Sequence, residues 1–324
     1  MIRTRREGDC APAGSAVVLA LVVTWAACSG AACPQQLRGH QFGAMPLPRM
    51  LPPHPTLDQI VAAVHDNTHR VRSYMAPQAT LSVPGVPRLV SQIACEPPRR
   101  FRLRAQTAVT GNELDIGSND ELFWLWIRRH DPKVTLYCRH DRYPEAAARR
   151  MLPVRAEWMP ELLGLVEFRS EDVHEGPFAM PDGRIEIRSR IASPDGELIR
   201  STLLDGTTGL VVEQHLFSPQ GERLASVKTS QHRVDPGSSA ALPRQVEVSW
   251  PAAGVEFRLD ITSITTNGGS ADPGQLWQLP SYEGYQPVDL ADPTFARSGP
   301  ALSAPLPPPL SVPPVQGLPT QPRL

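Results

Sequence analysis

Residues 183–217 read GRIEIRSRIASPDGELIRSTLLDGTTGLVVEQHLF, and this stretch decides the fold. Ile185, Ile187 and Ile191 alternate with Glu186, Arg188 and Arg190, while Leu210, Val212 and Leu216 interleave with Glu213 and His215. A period of two places apolar side chains on one side of a strand and charged ones on the other. The turn signals Pro194-Asp195-Gly196 and Asp205-Gly206 separate the strands, and Pro219-Gln220-Gly221 follows them. Strands this close together leave no room for crossover helices, so the sheet is read as an antiparallel meander.

The same alternation extends in both directions. Upstream, Phe101, Leu103 and Ala105 alternate with Arg100, Arg102 and Arg104; downstream, Val246, Val248 and Trp250 form one series and Phe257, Leu259 and Ile261 another. About eleven strands are expected, including segments near 79–84, 88–95, 112–117, 121–128, 133–139 and 165–170. Phe123, Leu125 and Ile127 face one way on their strand while Trp124 and Trp126 face the other, so that strand is apolar on both sides. Cover by the helices is the expectation for the tryptophan side.

Two helical regions interrupt the strands. Thr56 and Gln59 have capping-box spacing, and Leu57, Ile60, Val61, Val64 and Val71 follow on one helical face, with Pro77 ending any continuation. Residues 143–164 read as helical on both sides of Pro153, a helical insert midway through the sheet. The fold class is therefore mainly β: a curved antiparallel sheet, a half-open barrel, covered by an N-terminal helix and a central helical insert.

The chain opens with Arg3, Arg5 and Arg6, the apolar run Ala16–Ala27, and Cys28-Ser29-Gly30. This is the layout of a secretory signal, and the run is shorter than the ~20 residues of a membrane span. Residues 1–27 are read as a signal peptide of lipoprotein type with Cys28 as the lipidated residue, although Trp25 stands where such signals carry leucine. Cleavage after Ala27, Ala31 or Ala32 is the alternative. Residues 28–55 form a proline-containing tether, 56–292 the folded domain, and 293–324 a tail. Nine of the 25 residues from Pro300 to Leu324 are proline, a composition suited to an extended segment that contacts a protein partner or peptidoglycan.

Composition narrows the function. Removing Arg3, Arg5 and Arg6 from 32 basic residues and Glu7 and Asp9 from 33 acidic ones leaves 29 against 31. A net charge of −2 gives no electrostatic case for nucleic acid. The sequence has no GxSxG elbow, GxxxxGK[ST] loop, HExxH or CxxC pair, so no catalytic residue, metal site or cofactor is assigned. Three polar groupings read as solvated: His65 with His69 on the helix, the triplets Arg129-His130-Asp131 and Arg139-His140-Asp141, and the loop Glu171, Asp172, His174, Glu175. The triplets fall at opposite ends of a hairpin turned at Asp131-Pro132. Cys95 and Cys138 fall in strand-like segments, and their pairing is left open.

The whole pattern resembles the LolA/LolB-like superfamily of lipoprotein carriers and receptors. The resemblance rests on the signal ending in cysteine, the helix followed by about eleven antiparallel strands, and three short segments. These are Leu114–Trp126, a polar turn before an aromatic strand; Trp158–Leu165, an insert helix leading to a strand; and the closing Leu276-Trp277-Gln278-Leu279-Pro280. It implies a non-enzymatic envelope protein at the outer membrane, facing the periplasm. Such a protein binds acyl chains of lipids or lipoproteins, palmitate for example, in a concave apolar cavity and takes part in lipoprotein localisation. Candidate lining residues are Phe101, Leu103, Phe123, Leu125, Ile185, Ile187, Val246, Val248, Phe257 and Leu259, which a filled core also requires. The alternative is an envelope scaffold with a filled core, its tail contacting partners.

Overall fold

The computed structural model describes residues 46–143, 156–193, 196–251, 254–268 and 273–292. The signal, Cys28 and the tether to residue 45, residues 144–155 of the expected helical insert, and the tail from 293 lie outside the described residues. The first helix, α1 (Leu57–His69), starts on the expected capping box: Thr56 Oγ1 accepts from the Gln59 N–H and Gln59 Oε1 from the Thr56 N–H. It buries Ile60 and Val64. The chain then turns directly into strand. Val71 is buried beyond the helix end, and Pro77 lies inside β1 (Tyr74–Ser82) at a register shift between Ala76 and Ala79, where a ladder N–H is not required.

The strands β2 (Leu89–Glu96), β3 (Arg100–Thr107), β4 (Gly111–Ser118), β5 (Leu122–Ile127) and β6 (Val134–Arg139) follow as a meander, with Asp131-Pro132 in the last turn. After two short 3-10 turns, Ala156–Trp158 and Pro160–Leu163, a second meander runs through β7 (Val173–Ala179), β8 (Arg184–Ile191), β9 (Leu198–Asp205), β10 (Val211–Phe217) and β11 (Arg223–Ser230). A two-residue ribbon, β12 (Arg233–Val234) with β13 (Ala241–Leu242), precedes β14 (Gln245–Trp250) and the long β15 (Val255–Thr266). The one-turn helix α2 (Pro273–Leu276) and β16 (Gln286–Asp289) complete the described chain.

Fourteen strands form one sheet, ordered β16-β6-β5-β4-β3-β2-β1-β15-β14-β11-β10-β9-β8-β7. Pairing of β1 with β15 joins the two meanders at its centre, and among the described strands only β16 against β6 is parallel. The sheet is curved and unclosed, as the sequence predicts, with more strands than expected. β16 was invisible because its four residues carry no alternation. The segment 165–170, expected as a strand, is not one, and β7 begins three residues later. Leu165, Val166 and Phe168 are all buried while Glu167 keeps partial contact with solvent, so burial does not alternate and the segment passes through the interior as irregular chain.

The face opposite the interior differs between the two meanders. Over β8 to β15 it is wet and carries charge pairs such as Glu186–Arg188, Arg184–Glu213 and Arg258–Asp260. Over β3 to β6 it is covered, although not by the expected helices. The chain from α2 to β16 straps across it: Trp124 and Trp126 are 1% and 3% exposed, and Tyr282 stacks on Trp126 with centroids 3.8 Å apart. Beneath the strap, the fully buried Asp115 accepts from Arg102 Nη2 at 2.7 Å, Tyr282 Oη at 2.7 Å and Trp124 Nε1 at 3.1 Å. Arg102 Nη1 donates to the Leu276 and Gln275 carbonyls, fixing the start of the strap.

Cys95 on β2 and Cys138 on β6 are free. Four strand spacings separate them, about 19 Å along the sheet, and a disulfide needs Cα atoms within about 7 Å. Burial raises both thiol pKa values, that of Cys138 to about 11, so neither is a ready thiolate.

Gly117 pairs across the ladder with Trp124, whose indole lies over it; a Cβ there would stand 2.1 Å from Trp124 Cζ2. Gly117→Ala therefore forces the buried indole off Asp115. We expect a loss of about 2–4 kcal/mol in urea denaturation, with near-ultraviolet circular dichroism reporting the displaced tryptophan.

Candidate ligand-binding face

Cross-strand partners share a face, so register shows where the ten predicted lining residues point. Ile93, Leu103, Ile116, Leu125 and Leu136 stand opposite one another across β2 to β6. Leu81, Leu259 and Val246 do so across β1, β15 and β14, and Phe257, Val248 and Val227 continue into β11. Ile187, Thr202 and Gln214 complete the row through β8, β9 and β10. Phe101, Phe123 and Ile185 keep the same phase on their own strands. All ten predicted positions therefore lie on the concave face.

They divide among three apolar clusters. Phe101, Leu103, Val246, Val248, Phe257 and Leu259 pack with Leu163, Leu165, Met159 and Leu162 of the insert and with Leu242 of the ribbon. Ile185 and Ile187 pack with Ile60 and Val64 of α1 and with Phe168. Phe123 and Leu125 pack with Leu136, Tyr143 and Leu290. The concavity is thus occupied by the protein's own chain: α1, the ribbon and the segment 159–168.

An irregular segment inside an apolar shell must still satisfy its peptide groups. Thr68 Oγ1 donates to the Val166 carbonyl at 2.9 Å, Arg200 Nη2 to the Glu167 carbonyl at 3.1 Å, and the Phe168 N–H to His65 Nε2 at 3.0 Å. Asn67 does the same for the ribbon, donating to the Ala241 carbonyl at 3.1 Å and accepting its N–H at 2.8 Å.

The polar anchor of this plug was missed in the sequence. Glu161 and Arg200 are each 4% exposed and bond at 2.8 Å, with Arg169 Nη2 3.3 Å from the other carboxylate oxygen. Burial pushes the Glu161 carboxyl up while Arg200 and Arg169 pull it back, and burial wins. A signal was present: Glu161 interrupts an otherwise apolar run, and Arg200 occupies an inward phase of β9.

His65 and His69, expected on an open helix face, converge instead on Glu167, at 3.4 Å and 2.9 Å. His65 Nε2 is already engaged by the Phe168 amide, and no group among the described residues is arranged to hold a metal ion. The two Arg-His-Asp triplets lie at opposite ends of the β5–β6 hairpin as expected: His130 contacts the Pro132 carbonyl, and His140 the Asn119 carbonyl. His174 spans Ser189 and the Arg169 carbonyl, and Glu175 pairs with Arg190.

Between α1 and the sheet, a space of about 10 Å³ lies among Met50, Val64, Asn67, Val211 and His232. That holds about one water, whereas ligand pockets measure about 300–1,000 Å³.

No family model matches the sequence, and no curated protein matches it. Solved structures do. One is a domain described as an outer membrane lipoprotein-sorting protein from Vibrio parahaemolyticus, at 8% identity and TM-score 0.44, covering 67% of this chain and 98% of that one. A LolA superfamily protein from Nitrosomonas europaea matches at 8% identity and TM-score 0.41, covering 68% and 97%. A DUF1329 family protein from Desulfovibrio piger matches at 12% and 0.41, covering 65% and 95%. At these identities the similarities transfer no residue's role to this chain.

Removing the Glu161 carboxylate leaves Arg200 buried without its counter-charge. Glu161→Ala is expected to cost about 3–5 kcal/mol in urea denaturation, and Glu161→Leu with Arg200→Met to recover most of it. A double variant as unstable as the single one would overturn this account.

His232 beside the small cavity has its pKa lowered to about 4, first by burial. The folded state therefore favours the neutral ring. Its contribution is full above the unfolded value of about 6.5 and lost as pH falls toward 4. Between pH 7 and pH 4 this amounts to about 2–3 kcal/mol. His232→Gln should flatten that part of the stability–pH curve.

Proposed function

We propose that this protein is a non-enzymatic, exported lipoprotein of the cell envelope, held by a lipidated Cys28 at the outer membrane and facing the periplasm. Its concave face takes an acyl chain of a lipid or lipoprotein, in the service of lipoprotein localisation. The single observation that carries this reading is the nature of the cover over that face. A sheet-wide apolar surface, to which Leu103, Ile116, Leu125, Val246 and Leu259 contribute, is shielded between its two meanders by two 3-10 turns and an irregular strand of chain. Short 3-10 turns have poorer hydrogen bonds than a regular helix, so moving the plug costs less than unpacking a helical layer. Methylene groups of an acyl chain match Met159, Leu162, Leu163 and Leu165 against the sheet; entry must also break the buried Glu161–Arg200 pair, which is the polar cost of displacing the plug. The edge strands stay open, as exchange of a chain requires.

A second reading is favoured by the small space beneath α1: a filled core, with the proline-rich tail reaching peptidoglycan or a protein partner. Native mass spectrometry of the exported protein, purified without detergent, separates the two. A discrete extra mass released as fatty acid or phospholipid is expected, with saturable uptake of a fluorescent fatty acid. A clean apo mass that also resists added fatty acid would overturn acyl binding. Loss of co-precipitating partners on deleting residues 300–324 would then support the scaffold.

A further inference from the structure

The covered, convex side of the first meander carries a recess of its own. At the turn end of the β5–β6 hairpin, a hollow of about 520 Å³ opens between the hairpin and the strap. This is within the size range of small-molecule sites. Three of its lining residues are cations, Arg128, Arg129 and Lys133, against one acid, Glu283. Lys133 is one of only two lysines in the chain. Its ammonium has no ion-pair partner among the described residues. Arg129 is held loosely, 3.6 Å from Glu113.

The wall is prepared rather than incidental. Arg128 is fixed along its length, its Nη1 donating to the carbonyls of Thr110 and Asn112 and its own carbonyl accepting from Tyr285 Oη. Trp126, Tyr282 and Tyr285 form a continuous aromatic surface, with Tyr282 stacked on the indole and Tyr285 edge-on at 5.3 Å. Trp126 is 97% buried, yet its Nε1–H finds no acceptor among the described residues. A buried donor without an acceptor keeps its desolvation cost, a state the Nε1–H groups of Trp250 and Trp277 share among the described residues. Here it belongs to a residue that lines a cationic hollow.

We infer that this recess is a binding site for a phosphate ester with a small organic body, of glycerol-phosphate size. Arginine forks and a lysine point charge suit the several acceptor oxygens of a phosphate, and the half-buried faces of Tyr282 and Tyr285 suit its carbon body. The same chemistry is presented by a free glycerol phosphate and by an anionic phospholipid headgroup. The site lies on the opposite side of the sheet from the proposed acyl-binding face, so the failure of either leaves the other standing.

The test is calorimetric titration of the full exported chain with sn-glycerol 3-phosphate, alongside co-sedimentation with phosphatidylglycerol and phosphatidylcholine vesicles. Saturable binding of the soluble ester is expected. Lys133→Glu and Arg129→Glu, both on exposed side chains, should weaken it at least about tenfold, the loss of a charge-assisted contact. Glu283→Gln should tighten it, and Trp126→Phe, which keeps the stack and removes the N–H, should weaken it without a matching fall in thermal stability. Binding to phosphatidylglycerol but not phosphatidylcholine vesicles, with the same response to Lys133→Glu, would identify the lipid-borne source; binding of the soluble ester alone would identify the free one. The inference is overturned if neither probe binds, if the charge reversals leave binding unchanged, or if succinate binds as well as the phosphate ester.

Discussion

An apolar half-barrel does not tolerate bare peptide groups, and the most consequential constraint in this protein is that its own chain runs through one. The segment from Met159 to Phe168 fills the space between α1 and the sheet without belonging to either. Each of its exposed backbone groups must be met by a side chain, which gives the polar residues of the interior their purpose. Thr68, His65 and Arg200 bond the segment's backbone, and Glu161 neutralises Arg200 in return. Helix, plug and second meander are therefore tied by bonds that exist only when all three are in place. Buried ion pairs add little net stability but penalise misplacement strongly, so this one sets where the plug sits more than how firmly the fold holds.

The first meander meets a different demand. Its β3–β6 region is apolar on both sides, and the concave half cannot cover the tryptophans. The C-terminal strap does so, and its attachment is again a buried charge with a complete set of donors. Asp115 receives Arg102, Trp124 and Tyr282, and Arg102 uses its remaining N–H groups on the strap's backbone. The close approach of Trp124 to Gly117 makes room for this arrangement. The aromatic pair is covered, as its sequence predicts, but by the strap rather than by helices; it forms a second core, and the aromatic edge of that core forms one wall of the cationic recess.

Legibility follows from how local each signal is. Alternation is local, so the strands and the inward phase of Phe101, Leu103, Ile187, Val248 and Leu259 were readable, as was the capping box at Thr56. What failed depended on distant partners. Leu165–Phe168 looked like a strand because three of its four residues are apolar; that Leu165, Val166 and Phe168 are all buried follows from the helix and sheet that enclose them. β16 has no pattern of its own and exists because β6 offers an edge. The convergence of His65 and His69 on Glu167 and the pairing of Glu161 with Arg200 link residues from about 40 to 100 positions apart, beyond the reach of any periodicity. The LolA-like resemblance pointed to the right architecture but assigned no ligand-handling residue, and the concave face had to be read from register.

An open sheet must also avoid pairing with copies of itself, and among the described residues β7 and β16 are its outermost strands. The outer strand β7 carries Pro177 within a register shift, and β16 carries Pro287 in a run of only four residues. A proline has no N–H for a further strand, and a short or irregular edge offers few consecutive bonds. Closure of the barrel would remove both edges at once, yet it would also seal the concave face behind a continuous ladder. Blocking each edge with proline while leaving the sheet open keeps the interior reachable from the side. Proline at each edge is thus what lets the sheet stay open without pairing to copies of itself, the protection that closure would otherwise supply.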